Sequence, residues 1–340
     1  MQHKVVLIPG DGIGPEVAEA TQGVIAASGA DIDWVECHAG IAALEAGHED
    51  VLPQETVDTI TEIGVALKSP CTTPIGKSFV SVNVRLRKTL DLYGAVRPVR
   101  SMSGVKTRYE DVDLIVVREN TEGLYCGIEN VITPGVVTSL KIVTEKASTR
   151  IARFAFQLAK NRGRKKVTAF HKANIMKKGD GLFIECARNV HDAEFPEIEY
   201  DEHIIDAACM RLVQEPSQYD ILLCPNFYGD IVSDLCAGLI GGLGVSPGSN
   251  FGDKGAVFEA VHGSAPDIAG QNKANPLALI KSAVMMLRHM SDTTKDLSLD
   301  GCADKIRSAY DKAIADGEKT GDLGGKLGTR EFADALIRRL

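Results

Sequence analysis

An α/β fold in two domains is what this sequence predicts, and three observations carry the expectation. Apolar runs of strand length alternate with helix-period segments; the opening strand passes into a helix through glycines; and one later stretch drops helix period for β-branched residues. A chain of 340 residues, 44% hydrophobic and 25% charged, has ordinary globular composition. That length is long for one core, so about two domains are expected.

Taken in order, the first strand covers Val5 to Ile8, inside the segment Lys4 to Pro9. A glycine turn follows, then a helix from Pro15 to Ala27 and a strand from Asp33 to Cys37. Val65 to Lys68, Asp113 to Arg118, Lys166 to Phe170 and Asp220 to Cys224 are short apolar runs beside helical patterns, as in a largely parallel sheet. Between Cys126 and Thr144 the β-branched residues are broken by Pro134-Gly135, which predicts a hairpin-like insertion; such an arm often serves a dimer contact. Gly, Ser, Pro and Asn dominate from Gly241 to Gly255, where a crossing between domains is expected. The basic run Arg162-Gly163-Arg164-Lys165-Lys166 is expected to be a solvated turn before a strand.

The turn Gly10-Asp11-Gly12-Ile13-Gly14-Pro15-Glu16 follows a strand and opens a helix, as a dinucleotide fingerprint would. Its spacing departs from G-x-G-x-x-G, because the third glycine comes one residue early and Pro15 takes the first helical position. If a nicotinamide binds, a fold other than the Rossmann one is expected to hold it.

Composition also excludes. A net charge of -8, with a single basic run, argues against a nucleic-acid partner. Eight cysteines without a C-x-x-C pair read as reduced thiols, and Cys186, Cys209 and Cys236 sit within apolar helical patterns. No stretch reaches the length of a membrane span, and Met1 leads directly into the first strand without a signal segment. A cytoplasmic location is the resulting expectation, unless a transit peptide has been removed.

Chemistry concentrates around Asn226-Phe227-Tyr228-Gly229-Asp230-Ile231-Val232-Ser233-Asp234. A four-residue spacing on a helix places Asp230 and Asp234 on one face, where like charges repel unless a cation lies near. The alternative is a solvated first helical turn, which also favours acids. Asp206 could add a third carboxylate, and three hard oxygen ligands suit Mg²⁺ or Mn²⁺; the lack of His and Cys in the cluster argues against zinc. Arg87, Arg97 and Arg118 punctuate element ends, and converging guanidinium forks would suit a substrate with several carboxylates. Lys172, in His171-Lys172-Ala173-Asn174-Ile175-Met176, follows a strand end and is a candidate base. An ordinary lysine holds its proton too tightly for that role, so neighbouring cations or a metal would have to loosen it.

Six ordered motifs now make a resemblance plain. They are Gly10 to Glu16, Arg87 to Arg97, Arg118 to Tyr125, Lys172 to Met176, Gly229 to Asp234, and His262-Gly263-Ser264-Ala265-Pro266-Asp267-Ile268-Ala269-Gly270. Over nearly its whole length the chain resembles the β-decarboxylating dehydrogenases that act on isocitrate, isopropylmalate and homoisocitrate. The resemblance implies a two-domain α/β fold that is not Rossmann-like, with a β-rich dimerisation arm at about 126–144. One domain would comprise residues 1–98 plus 253–340 and carry most cofactor contacts; the other would span 99–252 and hold the arm. The substrate cleft would lie between them and close during turnover.

Residue by residue, the resemblance implies that Arg87, Arg97, Arg118 and Asn174 bind the 2-hydroxy acid. Asp230 and Asp234 would coordinate Mg²⁺ or Mn²⁺ together with Asp206 of the partner subunit. The partner subunit's Lys172 would take part in removing the C2 hydroxyl proton as hydride leaves for the nicotinamide. Tyr125 would help reprotonate the carbon after loss of carbon dioxide. Thr73 would serve the nicotinamide side, while His262, Gly263, Ala265 and Asn275 would serve the adenosine side.

Substrate choice in this family rests on residues just before Arg87. Here Ser81 and Asn83 resemble the isocitrate pattern, in which both meet the extra carboxylate, whereas isopropylmalate enzymes place apolar groups there. Arg85 departs from that pattern. An additional cation at that position could favour the longer homoisocitrate, or it could point to solvent. Asp267-Ile268 stands where NADP-using relatives place lysine and tyrosine, and a carboxylate repels a 2′-phosphate, so NAD is expected. The expected activity is NAD-dependent, metal-dependent oxidative decarboxylation of isocitrate to 2-oxoglutarate by a homodimer with shared sites. A homoisocitrate or 3-isopropylmalate enzyme is the alternative. A regulatory subunit of the same fold is a further one, opposed by the complete set Tyr125, Lys172, Asp206, Asp230 and Asp234.

Overall fold

The computed structural model describes residues 2–74 and 80–340. These form two compact units: residues 1–90 with 101–110 and 240–340, and residues 91–100 with 111–239. The first unit opens with β1 (His3–Ile8), α1 (Gly14–Ala27), β2 (Ile32–Glu36), α2 (Ile41–Glu45), α3 (Gln54–Ile63), β3 (Val65–Lys68) and α4 (Val82–Thr89). The second holds β4 (Gly94–Arg100), β5 (Asp113–Glu119), β6 (Glu129–Thr133), β7 (Val136–Ser139), α5 (Glu145–Arg162) and β8 (Lys166–His171). It continues with α6 (Gly179–Glu194), β9 (Glu199–Ile204), α7 (Ile205–Gln214), β10 (Ile221–Cys224) and α8 (Asn226–Leu239). The chain then returns to the first unit with β11 (Pro247–Phe251), β12 (Ala256–Ala260), α9 (Leu277–Thr294), α10 (Leu297–Ala315) and α11 (Thr329–Ile337).

In the first unit the strands run β2-β1-β3-β12-β11, parallel except that β11 is antiparallel to β12. Val5, Val6 and Ile8 are fully buried, which is why β1 reads as a continuous apolar run rather than an alternation. β11 lies inside the glycine-rich stretch expected to be a domain crossing. Its sequence Pro-Gly-Ser-Asn-Phe carries no apolar period, and pairing with β12 rather than propensity makes it a strand.

The Gly10 to Gly14 turn is a junction within this unit. Gly10 and Gly12 have φ of 71° and 61°, and a Cβ on either would stand 2.2 Å from the Pro70 carbonyl or 2.1 Å from that of Ser264. The Asp11 amide donates to Pro70 O at 2.7 Å and the Ile13 amide to Ser264 O at 2.8 Å. The Asp11 carboxylate accepts from the amides of Ala42 (2.7 Å), Ile41 (3.1 Å) and Thr72 (2.5 Å). Amides that a phosphate cradle would need are committed to protein carbonyls, a physical reason for the broken fingerprint.

In the second unit the order is β4-β5-β10-β8-β9, with β4 antiparallel to β5 and the rest parallel. β6 and β7 form a separate antiparallel ribbon turned at Pro134-Gly135, with every strand residue exposed. α5 begins where the Thr144 hydroxyl accepts from the Ala147 amide and ends at Gly163, whose φ of 64° suits a left-handed cap. The basic run after it is less solvated than expected: Arg164 holds Asp113 at 2.6 Å and Asp220 at 2.9 Å, fastening the starts of the neighbouring strands. All eight cysteines are free thiols, five of them buried. Among the described residues no helix is long and apolar enough to cross a membrane.

Candidate active site

The second unit brings Arg118, Tyr125, Asn226, Asp230 and Asp234 together. Arg118 ends β5, and Arg97 lies diagonally across on β4, since Arg97 pairs with Val116 and Arg118 with Ala95. Strand alternation therefore puts both arginines on one face of the sheet. Both are buried, and Arg97 donates to the Val96 carbonyl at 3.1 Å. Arg118 Nη1 donates to Asp230 Oδ1, and the Tyr125 hydroxyl donates to Asp230 Oδ2. The Arg118 guanidinium also stands 5.0 Å from the Tyr125 ring centre.

One helical turn after Asp230, Asp234 is exposed as a residue, yet its carboxyl is pushed up from the ordinary carboxylate value. Partial burial is the main cause and the charge of Asp230 the next, while Arg118 and Arg97 pull the other way. Burial also raises the Tyr125 phenol, helped by its bond to Asp230. Asp234, its charge disfavoured beside Asp230, forms with it a donor pair that a divalent cation would relieve. Among the described residues, no group of three or more His, Cys, Asp or Glu side chains converges in a way that could hold a metal. Asp206 is not gathered with Asp230 and Asp234 as a third ligand within this chain.

Asp206 instead meets Lys172. The Lys172 ammonium donates to Asp206 Oδ1, drawing the exposed carboxylate below its usual range. The loop after β8 is fixed from behind by Asp180, fully buried at the start of α6, which accepts from the Lys172 amide at 2.7 Å and pairs with Lys141. Asn174 is exposed on the same loop. The two residues that the resemblance sends to a partner's site are thus paired with each other, apart from the Arg118 cluster.

In the first unit, Ser81 stands at the N-cap position of α4 without a side-chain capping bond, and Asn83 and Arg87 follow at helical spacing, four residues apart on one face. Asn83 Oδ1 is buried without a hydrogen-bond partner among the described residues. Thr73 Oγ1 accepts from the Val82 amide at 3.1 Å, tying its loop to the start of α4. Arg85 leaves this face and pairs bidentately with Asp50, at 2.5 and 2.8 Å. His262 is part-buried, and burial pushes its imidazole below the usual value. The next loop includes exposed Gly263, Ala265 in a left-handed conformation at φ 37°, and Asp267 and Ile268 in a short 3₁₀ turn. Thr72 and Ser264 hydroxyls meet at 2.6 Å, joining the loop that bears Thr73 to the loop that bears Asp267. Asn275 donates to Asp322 at 2.9 Å.

Sequence reasoning missed three supporting residues. Glu259 is buried on β12 and accepts from Lys68 (2.9 Å), Arg87 (3.0 Å) and Asn250 (2.7 Å). Lys68 is its direct neighbour across the parallel pair β3–β12. The third is Asn226, which grips Arg118. Each lies at the end of an apolar run or the start of a helix and looks ordinary there; the only available signal was a charge within a buried strand, in Ala-Val-Phe-Glu-Ala.

Comparison with known proteins decides the family. A family model described as isocitrate/isopropylmalate dehydrogenase matches residues 4–336. The chain belongs to the isocitrate/isopropylmalate dehydrogenase family. The mitochondrial NAD isocitrate dehydrogenase catalytic subunit 6 of Arabidopsis thaliana is 52% identical over 339 residues, 99% of this chain and 88% of that one. A mitochondrial NAD isocitrate dehydrogenase regulatory subunit from Dictyostelium discoideum is 50% identical over 344 residues, 99% and 92% of the two chains. A crystal structure of isocitrate dehydrogenase from Methylococcus capsulatus superimposes with a TM-score of 0.92 at 46% identity, covering 99% of each chain. The expected fold, with its separate β6–β7 ribbon, is therefore that of this family. The cytoplasmic expectation does not stand, because both of these relatives are named as mitochondrial.

Proposed function

We propose that this chain catalyses the NAD-dependent oxidative decarboxylation of isocitrate to 2-oxoglutarate and carbon dioxide, with Mg²⁺ or Mn²⁺, in assembly with a second chain of the same fold. The observation that carries the reading is the Asp230–Asp234 pair, with Asp234 pushed toward protonation beside Arg118 and Tyr125. A bound divalent cation would act as a Lewis acid on oxygens of the substrate.

Arg87, Arg97 and Arg118 would bind carboxylates, with Asn174 as a further polar contact. Ser81 and Asn83, whose buried Oδ1 has no partner among the described residues, favour a hydroxylated, carboxylated substituent over a branched alkyl one. Arg85, spent on Asp50, supplies no reason to favour homoisocitrate. Tyr125 would hold a proton for the carbon left by decarboxylation; Lys172 would act on the C2 hydroxyl. The pairing of Lys172 with Asp206 supports moving both as a unit into a partner's site. The apolar, exposed ribbon, with Val131, Ile132, Val136 and Val137 each at least half exposed, fits burial against a second copy or a sister chain. Thr73, His262, Gly263, Ala265 and Asn275 would hold NAD, and Asp267 with Ile268 would reject a 2′-phosphate. If that assignment is right, Asp267→Lys with Ile268→Tyr improves NADP turnover; unchanged NADP turnover refutes it.

A regulatory role has one relative's name in its favour, and the retained Tyr125, Lys172, Asp206, Asp230 and Asp234 against it. Initial rates of NADH formation with isocitrate, homoisocitrate and 3-isopropylmalate, with and without EDTA, test the proposal. A chelator-sensitive preference for isocitrate supports it. A preference for either other acid removes the role of Ser81 and Asn83, and no turnover with any of them favours the regulatory reading.

A further inference from the structure

Asn226 is buried at the first position of α8, one helical turn before Asp230. Its carboxamide oxygen accepts twice from Arg118, from Nε at 3.0 Å and Nη2 at 2.6 Å, and its amide group donates to the Glu122 carbonyl at 2.8 Å. Only this orientation of the amide serves both partners, since a flip would set donors against donors and an oxygen against a carbonyl. Gly229 completes the seat. A Cβ there would lie 2.5 Å from Arg118 Cγ, so glycine admits the arginine stem against the helix.

The chemistry of the grip differs from that of other arginines in the chain. Arg85, Arg150, Arg153 and Arg188 each make a bidentate pair with a carboxylate, of Asp50, Asp91, Glu194 and Glu202 respectively. A bidentate carboxylate orients a guanidinium and cancels its charge. A carboxamide orients it and leaves the charge in place. Nη1 of Arg118 already pairs with the Asp230 carboxylate, so a neutral Asn226 spares the guanidinium a second one.

We propose that Asn226 is a positioning residue that sets the Arg118 guanidinium for a substrate carboxylate without adding a second carboxylate to the one that Asp230 supplies. The proposal rests on the reading of Arg118 as a substrate-binding residue. Asn226→Asp tests it most sharply, since it keeps acceptors toward Arg118 and adds a second negative charge, at the loss of the bond to the Glu122 carbonyl. KM for isocitrate is expected to rise about tenfold or more, corresponding to roughly 1.4 kcal/mol, while KM for NAD stays near that of the parent.

An isocitrate KM within about twofold of the parent, or an equal rise in KM for NAD, overturns the proposal. So does a rise that disappears at saturating Mg²⁺, which would assign Asn226 to the cation instead. If Asn226→Asp does not fold, Asn226→Ala provides the same split, with the same outcomes deciding. Arg118→Gln is the control: no change in its isocitrate KM removes the underlying site reading together with this proposal. A large change there with none in Asn226→Asp removes this proposal alone.

Discussion

Glu259 in the first unit and the Asp230–Asp234 pair in the second are both acidic and both sit among arginines, yet the two settings are opposite in balance. Glu259 is buried and faces two cations, Lys68 and Arg87, with Asn250 satisfying the same oxygen that Arg87 uses. Asp230 takes Arg118 and Tyr125, while Asp234 is left with its carboxyl pushed up by partial burial and by Asp230. A compensated buried acid holds a fold together; an acid whose charge is disfavoured by burial and by an acidic neighbour would gain from a cation. Burial and acidity alone would not have separated them.

Substitution separates them most strongly. Asp230→Asn or Asp234→Asn is expected to lower kcat by roughly a thousandfold, since several kcal/mol of charge stabilisation go with the cation. Asp234→Asn should leave thermal stability unchanged or slightly raised, because it relieves like-charge repulsion, whereas Asp230→Asn also gives up the ion pair with buried Arg118 and should cost some stability. Glu259→Gln should do the reverse in kind, costing about 3–5 kcal/mol of stability by leaving Lys68 buried without its counter-charge. Urea unfolding of the three variants beside steady-state rates checks both halves. Equal destabilisation by all three would erase the distinction.

The outer arginine provides a smaller effect. Arg85→Gln breaks an ion pair about a third exposed, so a loss of at most about 1 kcal/mol is expected, with no change in the ratio of rates on isocitrate and homoisocitrate. A shifted ratio would return Arg85 to the substrate pocket. The pH dependence of the same pair has a fixed sign. Arg85 holds the Asp50 carboxyl below its ordinary value, so the pair stabilises the native state above pH ~4 and the contribution is lost as pH falls through the lower folded value. Arg85→Gln should therefore converge with the parent in stability at acid pH, measured by thermal melts from pH 7 downward.

Much of this was legible in the sequence because it is local. The i,i+4 acid pair, the Pro134-Gly135 turn, the apolar run of β1 and the misfit of the Gly10 to Gly14 turn each depend on neighbours within a few residues. What escaped depends on partners far along the chain. Asp50 lies 35 residues from Arg85, Glu259 lies 172 from Arg87, and Asn226 lies 108 from Arg118. β11 escaped for the related reason that a strand without apolar period is specified by its neighbour. The compartment is encoded in neither fold nor site.

A titration of Mn²⁺ into the parent chain and into Asp234→Asn, followed by electron paramagnetic resonance in the presence of isocitrate, tests the central claim most directly. The account predicts tight binding by the parent and its loss in the variant, with binding also weakened in Asp206→Asn. Undiminished binding in Asp234→Asn would contradict it and leave the acid pair as an ordinary helix face.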